Sequence, residues 1–400
     1  MRRVLWAGAL LFFGAVGCSD DEAGGGSGGS GSGAVGGTAG NGAAGAGGTS
    51  GAGATAGVAG TAGTGGDASL SITVLDRVRI NSHSDQENFQ NAIGALELPP
   101  GSYEEAQLII ELGTTCYPFE SWLGPGAPNP PPPGHNWPAD CDAYDRNFEL
   151  ILNPPEAPGD GPGIELVRAI TPFGGPMELS IDITDVVNGV GAGAHRLKAH
   201  ITTWSDAAGQ VSGSNGGWLV SARVALKRGR APRQVLGVIP LYDGSHGAES
   251  PAPIDFVVPE GTTHTRLEYR ATGHGGVYPS PGCNQPGEEF CRRDHRVFAD
   301  GAQFDRFQPW RNDCASLCTR STYSAGGGSL EYCAENPCGA IQSVEASRAG
   351  WCPGSVTEPF TWERPELTPG PHQFGWTVTP VAEGGSWRIS AVLFAFGSER

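Results

Sequence analysis

Three short segments of the sequence combine acidic side chains, arginine and tryptophan directly beside cysteines. They are Cys141-Asp-Ala-Tyr-Asp-Arg146, Glu288-Glu-Phe-Cys291 and Arg348-Ala-Gly-Trp-Cys352. Two carboxylates that lie close together share a proton or a water, and their pKa values separate, which suits general acid and base catalysis. An arginine beside them keeps one carboxylate ionised and can donate to an oxyanion. Taken singly, an Asp-Arg dipeptide is typical of a surface ion pair, and a tryptophan beside a cysteine is typical of core packing.

The rest of the chain must position these segments, and its sequence is typical of short β-strands. Runs of alternating polarity or of β-branched residues are separated by Gly, Pro and Asn clusters. The runs cover residues 70–75, 106–112, 148–152, 177–183, 195–201, 218–224, 235–241, 254–258, 265–270, 375–379 and 386–396. We find no amphipathic helix of three turns. This pattern predicts an all-β protein built from antiparallel β-sandwiches or jelly rolls.

The length of the chain leaves room for two such sandwiches. We predict a lipoprotein signal peptide with a lipobox over residues 1–18 and a disordered linker rich in Gly, Ala and Ser over 19–67. An N-terminal jelly-roll domain is predicted over 68–229 and a C-terminal jelly-roll domain over 230–400. The boundary between the two domains is placed at the basic turn Lys227-Arg-Gly-Arg-Ala-Pro232.

The charge balance argues against several classes of partner. The 400 residues include 42 Asp and Glu against 25 Lys and Arg, which gives a formal net charge of −17. Only two lysines occur, Lys198 and Lys227. Binding to nucleic acid or to anionic lipid is therefore not expected to be the main function.

The N-terminus predicts export. A basic start at Met1-Arg-Arg3 is followed by an apolar run over residues 4–16, which is too short to span a bilayer. The run ends in Ala15-Val-Gly-Cys18, which resembles a bacterial lipobox. We therefore expect Cys18 to carry lipids that anchor the protein to a bacterial membrane, at the outer membrane or cell surface. The alternative is an ordinary secretory signal with an incidental cysteine.

The linker and the remaining cysteines agree with an exported protein. Residues 24–66 contain no charged and no aromatic side chain, so we expect a flexible coil that holds the globular part away from the membrane. Nine cysteines follow Cys18, and disulfides are the usual state of cysteines in an exported chain. Because nine is odd, one thiol is left over. The spacings of Cys314 with Cys318 and of Cys333 with Cys338 imitate a zinc site only loosely.

Several segments, in chain order, resemble the bacterial peptide-N-glycosidase F family. These segments are Cys141-Asp-Ala-Tyr-Asp-Arg146, Ile170-Thr-Pro-Phe173 with Ile181-Asp-Ile-Thr-Asp185, Gly273-His-Gly275 with Gly282-Cys283 and Glu289-Phe-Cys-Arg292, and Ser347-Arg-Ala-Gly-Trp-Cys-Pro-Gly354. The last segment is long and unusual in composition, and together the segments extend over most of residues 70–400. The resemblance implies two antiparallel jelly-roll β-sandwich domains packed side by side, with the active site at their junction.

The resemblance also implies a chemistry and its residues. Members of the family hydrolyse the amide between asparagine and the first N-acetylglucosamine of an N-linked glycan, and they need no cofactor or metal. The expected substrate is an N-linked glycopeptide or glycoprotein, and we expect a monomer. The resemblance assigns catalysis to Asp145, Glu289, Arg348 and Arg146, and substrate binding to Trp204, Trp351, Thr202, Phe290 and His274. It implies the disulfides Cys116–Cys141 and Cys283–Cys291, and we expect Cys314 and Cys352 to be disulfide-bonded. The partner of Cys352 is left open among Cys314, Cys318, Cys333 and Cys338.

The sequence departs from the family pattern at two of these positions. Thr202 stands where the family has a glutamate before a Thr-Trp pair, and Phe290 stands where a tryptophan is usual. The insertion between Cys116 and Cys141 is also longer than expected. These departures favour an altered glycan preference, and they keep a non-catalytic carbohydrate-binding lipoprotein of the same fold as the alternative function.

A copper monooxygenase of similar two-sandwich architecture is the third possibility, and the sequence disfavours it. Such copper sites use several histidines and a methionine. The body of the chain has one methionine, Met177, and none of the nine histidines forms a His-His or His-x-His pair.

Overall fold

The computed structural model describes residues 69–157, 159–247, 251–276, 281–285, 287–325 and 328–398. The predicted signal peptide with Cys18 and the predicted linker lie outside the described residues. Half of the structure is strand and only 7% is helical. None of the helices among the described residues has the length and hydrophobicity of a membrane span.

Eight strands make up the first half of the described chain, with one short helix between the sixth and seventh. They are β1 (Ser69–Asn81), β2 (Asn91–Leu98), β3 (Tyr103–Gly113), β4 (Asn147–Leu152), β5 (Ile164–Ile170), β6 (Met177–Asp182), α1 (Thr184–Val190), β7 (Gly193–Ile201) and β8 (Gly217–Arg228). They form two antiparallel sheets, with the strand orders β1-β8-β3-β6 and β2-β7-β4-β5.

Ten strands make up the second half. They are β9 (Val235–His246), β10 (Ile254–Val258), β11 (His264–Gly275), β12 (Asp294–Ala299), β13 (Ala302–Phe307), β14 (Arg320–Ala325), β15 (Gly328–Cys333), α2 (Ile341–Glu345), β16 (Phe360–Glu363), β17 (Gly370–Thr379) and β18 (Gly385–Phe396). Two antiparallel sheets have the orders β16-β11-β18-β9 and β10-β17-β12-β13, and β14 pairs with β15 as a separate hairpin. The predicted boundary between residues 229 and 230 falls in the gap between β8 and β9, and it stays a prediction.

Each pair of sheets encloses its own hydrophobic core, so the molecule contains two β-sandwiches. In β8, Trp218, Val220, Ala222 and Val224 are fully buried, while the residues between them are partly or largely exposed. This alternation sends every second side chain into the space between the sheets. The first core therefore joins residues from both sheets of the first half, and a second core joins both sheets of the second half. The predicted all-β class with two sandwiches is confirmed.

The two sandwiches pack against each other through β5, β9, β18 and α1. β5 is buried along its whole length, although it contains Glu165 and Arg168. Arg168 is fully buried because its guanidinium pairs with Glu165 at 2.7 Å and donates to Thr272 of the second sandwich. The buried charges of Glu165 and Arg168 at this junction are thus stabilised by an ion pair and a hydrogen bond, as buried charges require.

A third core lies in the loops and contains aromatic rings and disulfides from both halves. The ring of Phe119, in the long loop after β3, lies 5.0 Å from Tyr332 and 5.2 Å from Tyr323 of the β14–β15 hairpin. The disulfides of the described chain are Cys116–Cys141, Cys283–Cys291, Cys314–Cys352 and Cys318–Cys333. The ninth cysteine, Cys338, is buried and is in none of these four disulfides. Four disulfides are typical of an extracytoplasmic protein.

Candidate active site

The loop before β4 holds Asp145 in a fixed position. Cys141 at its start is bonded to Cys116. Asp142 is fully buried and pairs with Arg146 at 3.0 Å, and it accepts a further hydrogen bond from the indole of Trp218. The backbone N–H of Arg146 donates to the hydroxyl of Thr171, which itself donates to the backbone of Tyr144. These contacts close around Asp145 from both sides and place its side chain at the sandwich junction.

Glu289 comes from the second sandwich, on a single turn of 3-10 helix over Glu288–Phe290. The disulfide Cys283–Cys291 brackets this turn. The neighbouring Glu288 is fully buried and binds Arg293 and the indole of Trp387, so it anchors the turn to the core. The carbonyl of Glu289 accepts from the backbone N–H of Ala349. Glu288 is therefore structural, and the turn directs Glu289 towards Asp145.

Arg348 joins the two carboxylates. Its Nη2 lies 3.6 Å from Oδ2 of Asp145, and its Nη1 lies 3.1 Å from Oε1 of Glu289. The guanidinium is 1% exposed and lies against the rings of Phe290, at 4.7 Å, and Trp351, at 4.4 Å. A cation between two carboxylates attracts both and reduces the repulsion between them. The structure thus brings together three of the four residues that the sequence analysis assigned to catalysis.

Burial sets the protonation of this pair. Desolvation raises the pKa of Asp145 to about 7, with Arg348 opposing the rise and Glu289 adding to it. Desolvation also raises the pKa of Glu289, against the attraction of Arg348. The side chain of Asp145 is 8% exposed, whereas that of Glu289 is 29% exposed. A carboxyl group with a pKa near neutral pH can both accept and donate a proton during one reaction cycle.

The pair opens onto a cavity of about 680 Å³ between the two sandwiches. The first sandwich contributes the loop of Asp145 and the outer faces of β4 and β7, and the second contributes ends of β9, β11 and β18 together with Glu289. The lining residues are Tyr144, Asp145, Arg146, Asn147, Glu149, Lys198, His200, Thr202, Trp204, Ser245, His274, Gly275, Gly287, Glu289, Trp351, Ser386 and Arg388. A cavity of this size is in the range that holds small ligands.

Two aromatic rings lie exposed at this cavity. Trp204 is 42% exposed and Tyr144 is 39% exposed, and their ring centroids are 6.1 Å apart. The guanidinium of Arg146 lies 4.4 Å from the ring of Trp204 and 4.7 Å from that of Tyr144. Exposed flat rings of this kind suit the apolar face of a sugar. Arg146 supports them from the buried side while it pairs with Asp142, so the geometry gives it a positioning role instead of contact with the carboxylate pair.

The remaining predicted binding residues divide into two groups. Thr202, His274 and Trp351 line the cavity. Desolvation lowers the pKa of His274 to about 3, and its ring stacks on that of Trp351 at 5.6 Å. The imidazole is therefore neutral and serves as a polar wall. Phe290 is 8% exposed and packs behind Arg348, and it is absent from the described lining of the cavity.

Sequence reasoning missed a polar wall that runs beside the catalytic pair. Glu149 on β4 is fully buried and binds Arg388 of β18 with both oxygens, at 2.6 and 2.7 Å. The attraction of Arg388 and Arg168 holds the pKa of Glu149 far below its usual range, although burial opposes this. Lys198 and His200 of β7 lie on the same wall. The alternation of β7 was visible in the sequence and could have marked Lys198 and His200, but nothing in the sequence joins Glu149 to Arg388.

One group of described residues has the composition of a metal site, namely Cys283, Glu288 and Cys291. The two sulfur atoms are joined to each other in a disulfide, and the carboxylate of Glu288 already binds Arg293. These atoms are therefore not available as metal ligands.

The fold and the site define a two-sandwich β-protein with a carboxylate pair at the junction of the sandwiches. Residues 242–394 match the protein family described as Peptide-N-glycosidase F, C terminal. No curated protein matches the chain in sequence.

The fold of the chain is similar to those of several solved structures. The chain is similar to PNGF-II, with 18% sequence identity and a TM-score of 0.60, over 83% of this chain and 66% of that one. It is similar to a peptide-N(4)-(N-acetyl-β-D-glucosaminyl)asparagine amidase, with 17% identity and a TM-score of 0.59, over 83% of this chain and 97% of that one. The sequence identity, the TM-score and the two coverages are the same for PNGase F, a glycosylasparaginase from Flavobacterium meningosepticum.

The chain thus has the fold of peptide-N-glycosidase F, and its second half carries the C-terminal domain of that family. The resemblance seen in the sequence motifs is confirmed. The chain spans slightly less than two thirds of the length of PNGF-II.

Proposed function

We propose that this protein hydrolyses the amide bond between an asparagine side chain and the first N-acetylglucosamine of an N-linked glycan. One observation carries the proposal. Asp145 and Glu289, from different sandwiches, meet across one buried guanidinium at the edge of a large cavity. The fold and the C-terminal domain that the chain shares with peptide-N-glycosidase F support the same conclusion.

The proposed reaction uses the carboxyl group of Asp145 twice. In its ionised form it takes a proton from a water molecule while the water oxygen bonds to the amide carbon. In the resulting carboxylic acid form it returns that proton to the sugar-linked nitrogen as the carbon–nitrogen bond breaks. The products are aspartate and a glycosylamine, so one water is consumed and no other reactant is needed. Glu289 and Arg348 hold Asp145 and polarise the water.

The aromatic pair provides the contact surface for the sugar. Trp204 and Tyr144 are exposed at the cavity that holds the carboxylates, which supports a stacking role for them beside the reacting bond. Thr202, on the cavity wall, is where the family pattern has a carboxylate. Because a hydroxyl replaces a charge there, we expect a glycan preference that differs from the family's usual one.

The test uses the chain from residue 67 onward and a defined N-glycopeptide in water enriched in heavy oxygen, with the peptide followed by mass. The expected result is conversion of asparagine to aspartate with heavy oxygen incorporated and the whole glycan lost. Asp145→Asn and Glu289→Gln should abolish the reaction. The matched controls Asp76→Asn and Glu97→Gln change exposed side chains on β1 and β2 and should retain it.

Two other outcomes would each replace the proposal. Cleavage that leaves one N-acetylglucosamine on the peptide would show a glycosidase. Binding of the glycopeptide without cleavage would show the alternative, a carbohydrate-binding protein of the same fold, and Thr202→Glu would then test whether the missing carboxylate is the reason.

We also propose that Cys18 is lipidated and anchors the protein to a bacterial membrane. The apolar run that ends at this cysteine supports the proposal, and the disulfides agree with a location outside the cytoplasm. Metabolic labelling with an alkyne fatty acid in a bacterial host should label the protein, and Cys18→Ser should abolish the label. A labelled Cys18→Ser protein, or an unlabelled wild type, would contradict the anchor.

A further inference from the structure

One cationic side chain on the cavity wall makes no ion pair with any residue that the structure describes. Asp145 and Glu289 share Arg348, and Arg146 is paired with Asp142. Arg388 is paired with Glu149 and Asp243. Among the described residues that line the cavity, Lys198 is the charged side chain that has no ion pair.

The strand pattern directs Lys198 into the cavity. In β7, Leu197, Ala199 and Ile201 are fully buried in the first core, so the side chains of Lys198 and His200 project from the opposite face. That face is the cavity wall. Lys198 lies beside Ile151 of β4 and Ile93 of β2, and neither neighbour offers a carboxylate.

The neighbours of Lys198 on this wall bind other groups instead of Lys198. Nδ1 of His200 lies 2.9 Å from the amide oxygen of Asn91, and Nε2 lies 3.3 Å from the hydroxyl of Thr202. Desolvation lowers the pKa of His200, with Lys198 and Arg388 acting in the same direction and Glu149 opposing them. The imidazole is therefore neutral at neutral pH. Glu149 is bound directly by Arg168 and Arg388 and forms no ion pair with Lys198.

An unpaired lysine is unusual in this chain. The protein carries a net charge of −17 and contains only two lysines, and the other one, Lys227, is paired with Glu104. An acidic protein repels anions in general, so an ammonium without an ion pair in the cavity beside the carboxylate pair gives a local attraction of the opposite sign. Such a group contributes to specificity more than to overall affinity.

We propose that the substrate carries an anionic group, a carboxylate, a sulfate or a phosphate, and that Lys198 binds it. This inference rests on the proposed function, because it assigns the substrate class of the same cavity. Lys198 lies opposite Ile151, which is four residues along β4 from Asn147, a distance of about 13 Å at roughly 3.3 Å per residue, and Asp145 precedes that strand. The anion is therefore remote from the scissile amide, and it belongs to a later sugar of the glycan or to the peptide about four residues from the asparagine.

The experiment compares three glycopeptides. The first has a neutral core glycan on a neutral peptide, the second carries a sulfate on an outer core sugar, and the third has a neutral glycan with glutamate four residues from the asparagine. We expect kcat/KM of the wild type to be about three- to tenfold higher for one of the anionic substrates than for the neutral one, as for one half-buried ion pair. Whichever anionic substrate is preferred identifies the source of the charge.

Two variants of Lys198 and one control make the assignment. Lys198→Met should bring the ratio between anionic and neutral substrates to about one, and Lys198→Arg should keep the preference because it keeps the charge. The control Lys227→Met removes the other lysine and should leave the ratio of the wild type. Rising salt should reduce the preference of the wild type and leave Lys198→Met unaffected.

The outcomes separate this inference from the proposed function. Equal cleavage of all three glycopeptides, or a preference that persists in Lys198→Met, would overturn the inference and leave the amidase intact. Absence of any cleavage would overturn the amidase, and calorimetric binding of the same glycopeptides would then decide the inference. Tighter binding of an anionic glycopeptide that is lost in Lys198→Met would support it, and equal or absent binding would overturn it.

Discussion

Replacing Asp145 by asparagine should stabilise the protein at alkaline pH. The side chain of Asp145 is 8% exposed, and desolvation raises its pKa from 3.8 to about 7. The folded protein therefore holds this proton between about pH 4 and pH 7, while the unfolded chain releases it. Folded stability falls as the pH rises through that window, because ionisation of this carboxyl group stabilises the unfolded chain while the folded protein keeps its proton. Asparagine has nearly the same shape and does not ionise.

The magnitude follows from the shift of the pKa. Raising it from 3.8 to about 7 corresponds to about 4 kcal/mol of unfolding free energy above pH 7. We expect Asp145→Asn to exceed the wild type by about 2–4 kcal/mol at about pH 8.5, because the asparagine also loses the attraction of Arg348. At about pH 4 both side chains are neutral in the folded state, and the difference should fall below about 1 kcal/mol.

The assay is urea unfolding with the disulfides intact, followed by tryptophan fluorescence at both pH values. Asp243, whose pKa burial raises to about 6, is not among the groups that shift the pKa of Asp145, so its titration acts equally on both proteins and cancels in the difference. Asp76→Asn, which changes an exposed carboxylate, should show no such pH dependence. An Asp145→Asn protein that is less stable than the wild type at about pH 8.5 would refute the reasoning, since attraction to Arg348 would then outweigh desolvation.

Two further predictions concern the aromatic surface and the junction. Trp204→Ala should raise KM for a glycopeptide by about tenfold with a smaller change in kcat, because an exposed ring that contacts the sugar contributes to binding. Steady-state kinetics measure both constants. Glu149→Gln should destabilise the protein by about 3–5 kcal/mol, because it removes the buried carboxylate that pairs with both Arg388 and Arg168. The midpoint of urea unfolding measures this, with Glu97→Gln on the exposed face of β2 as control.

Each of these two predictions has a contradicting result. An unchanged KM in Trp204→Ala would mean that the sugar does not contact this ring. A Glu149→Gln protein as stable as its control would mean that Asp243 alone compensates Arg388.

The strands with one buried face could be recognised from the sequence. The run predicted over residues 148–152 differs from β4 by one residue, and the run over 195–201 lies within β7. β5 was missed because both of its faces are buried, and because Glu165 and Arg168 interrupt its apolar pattern. Those two side chains are stable there only because they pair with each other and because Arg168 also bonds to the second sandwich.

The site also has features that the sequence indicates and features that only the structure shows. Asp145, Glu289 and Arg348 lie in sequence motifs, and the structure brings them together at one end of the cavity. Arg146 lies in the same motif and lines the same cavity, yet its guanidinium pairs with the buried Asp142. The motif supplies the residue types but not the direction in which each side chain points.

The sequence by itself determined the all-β class, the two sandwiches and the acidic residues of the site, because strand alternation and short motifs are local properties of the chain. The tertiary structure alone decided which charges are neutralised. Arg388 meets Glu149 only because β18 of one sandwich packs against β5 of the other, next to β4, and Lys198 is left without an ion pair among the described residues. The raised pKa of Asp145 has the same origin, since desolvation depends on what surrounds a carboxylate in space and not on its neighbours in sequence.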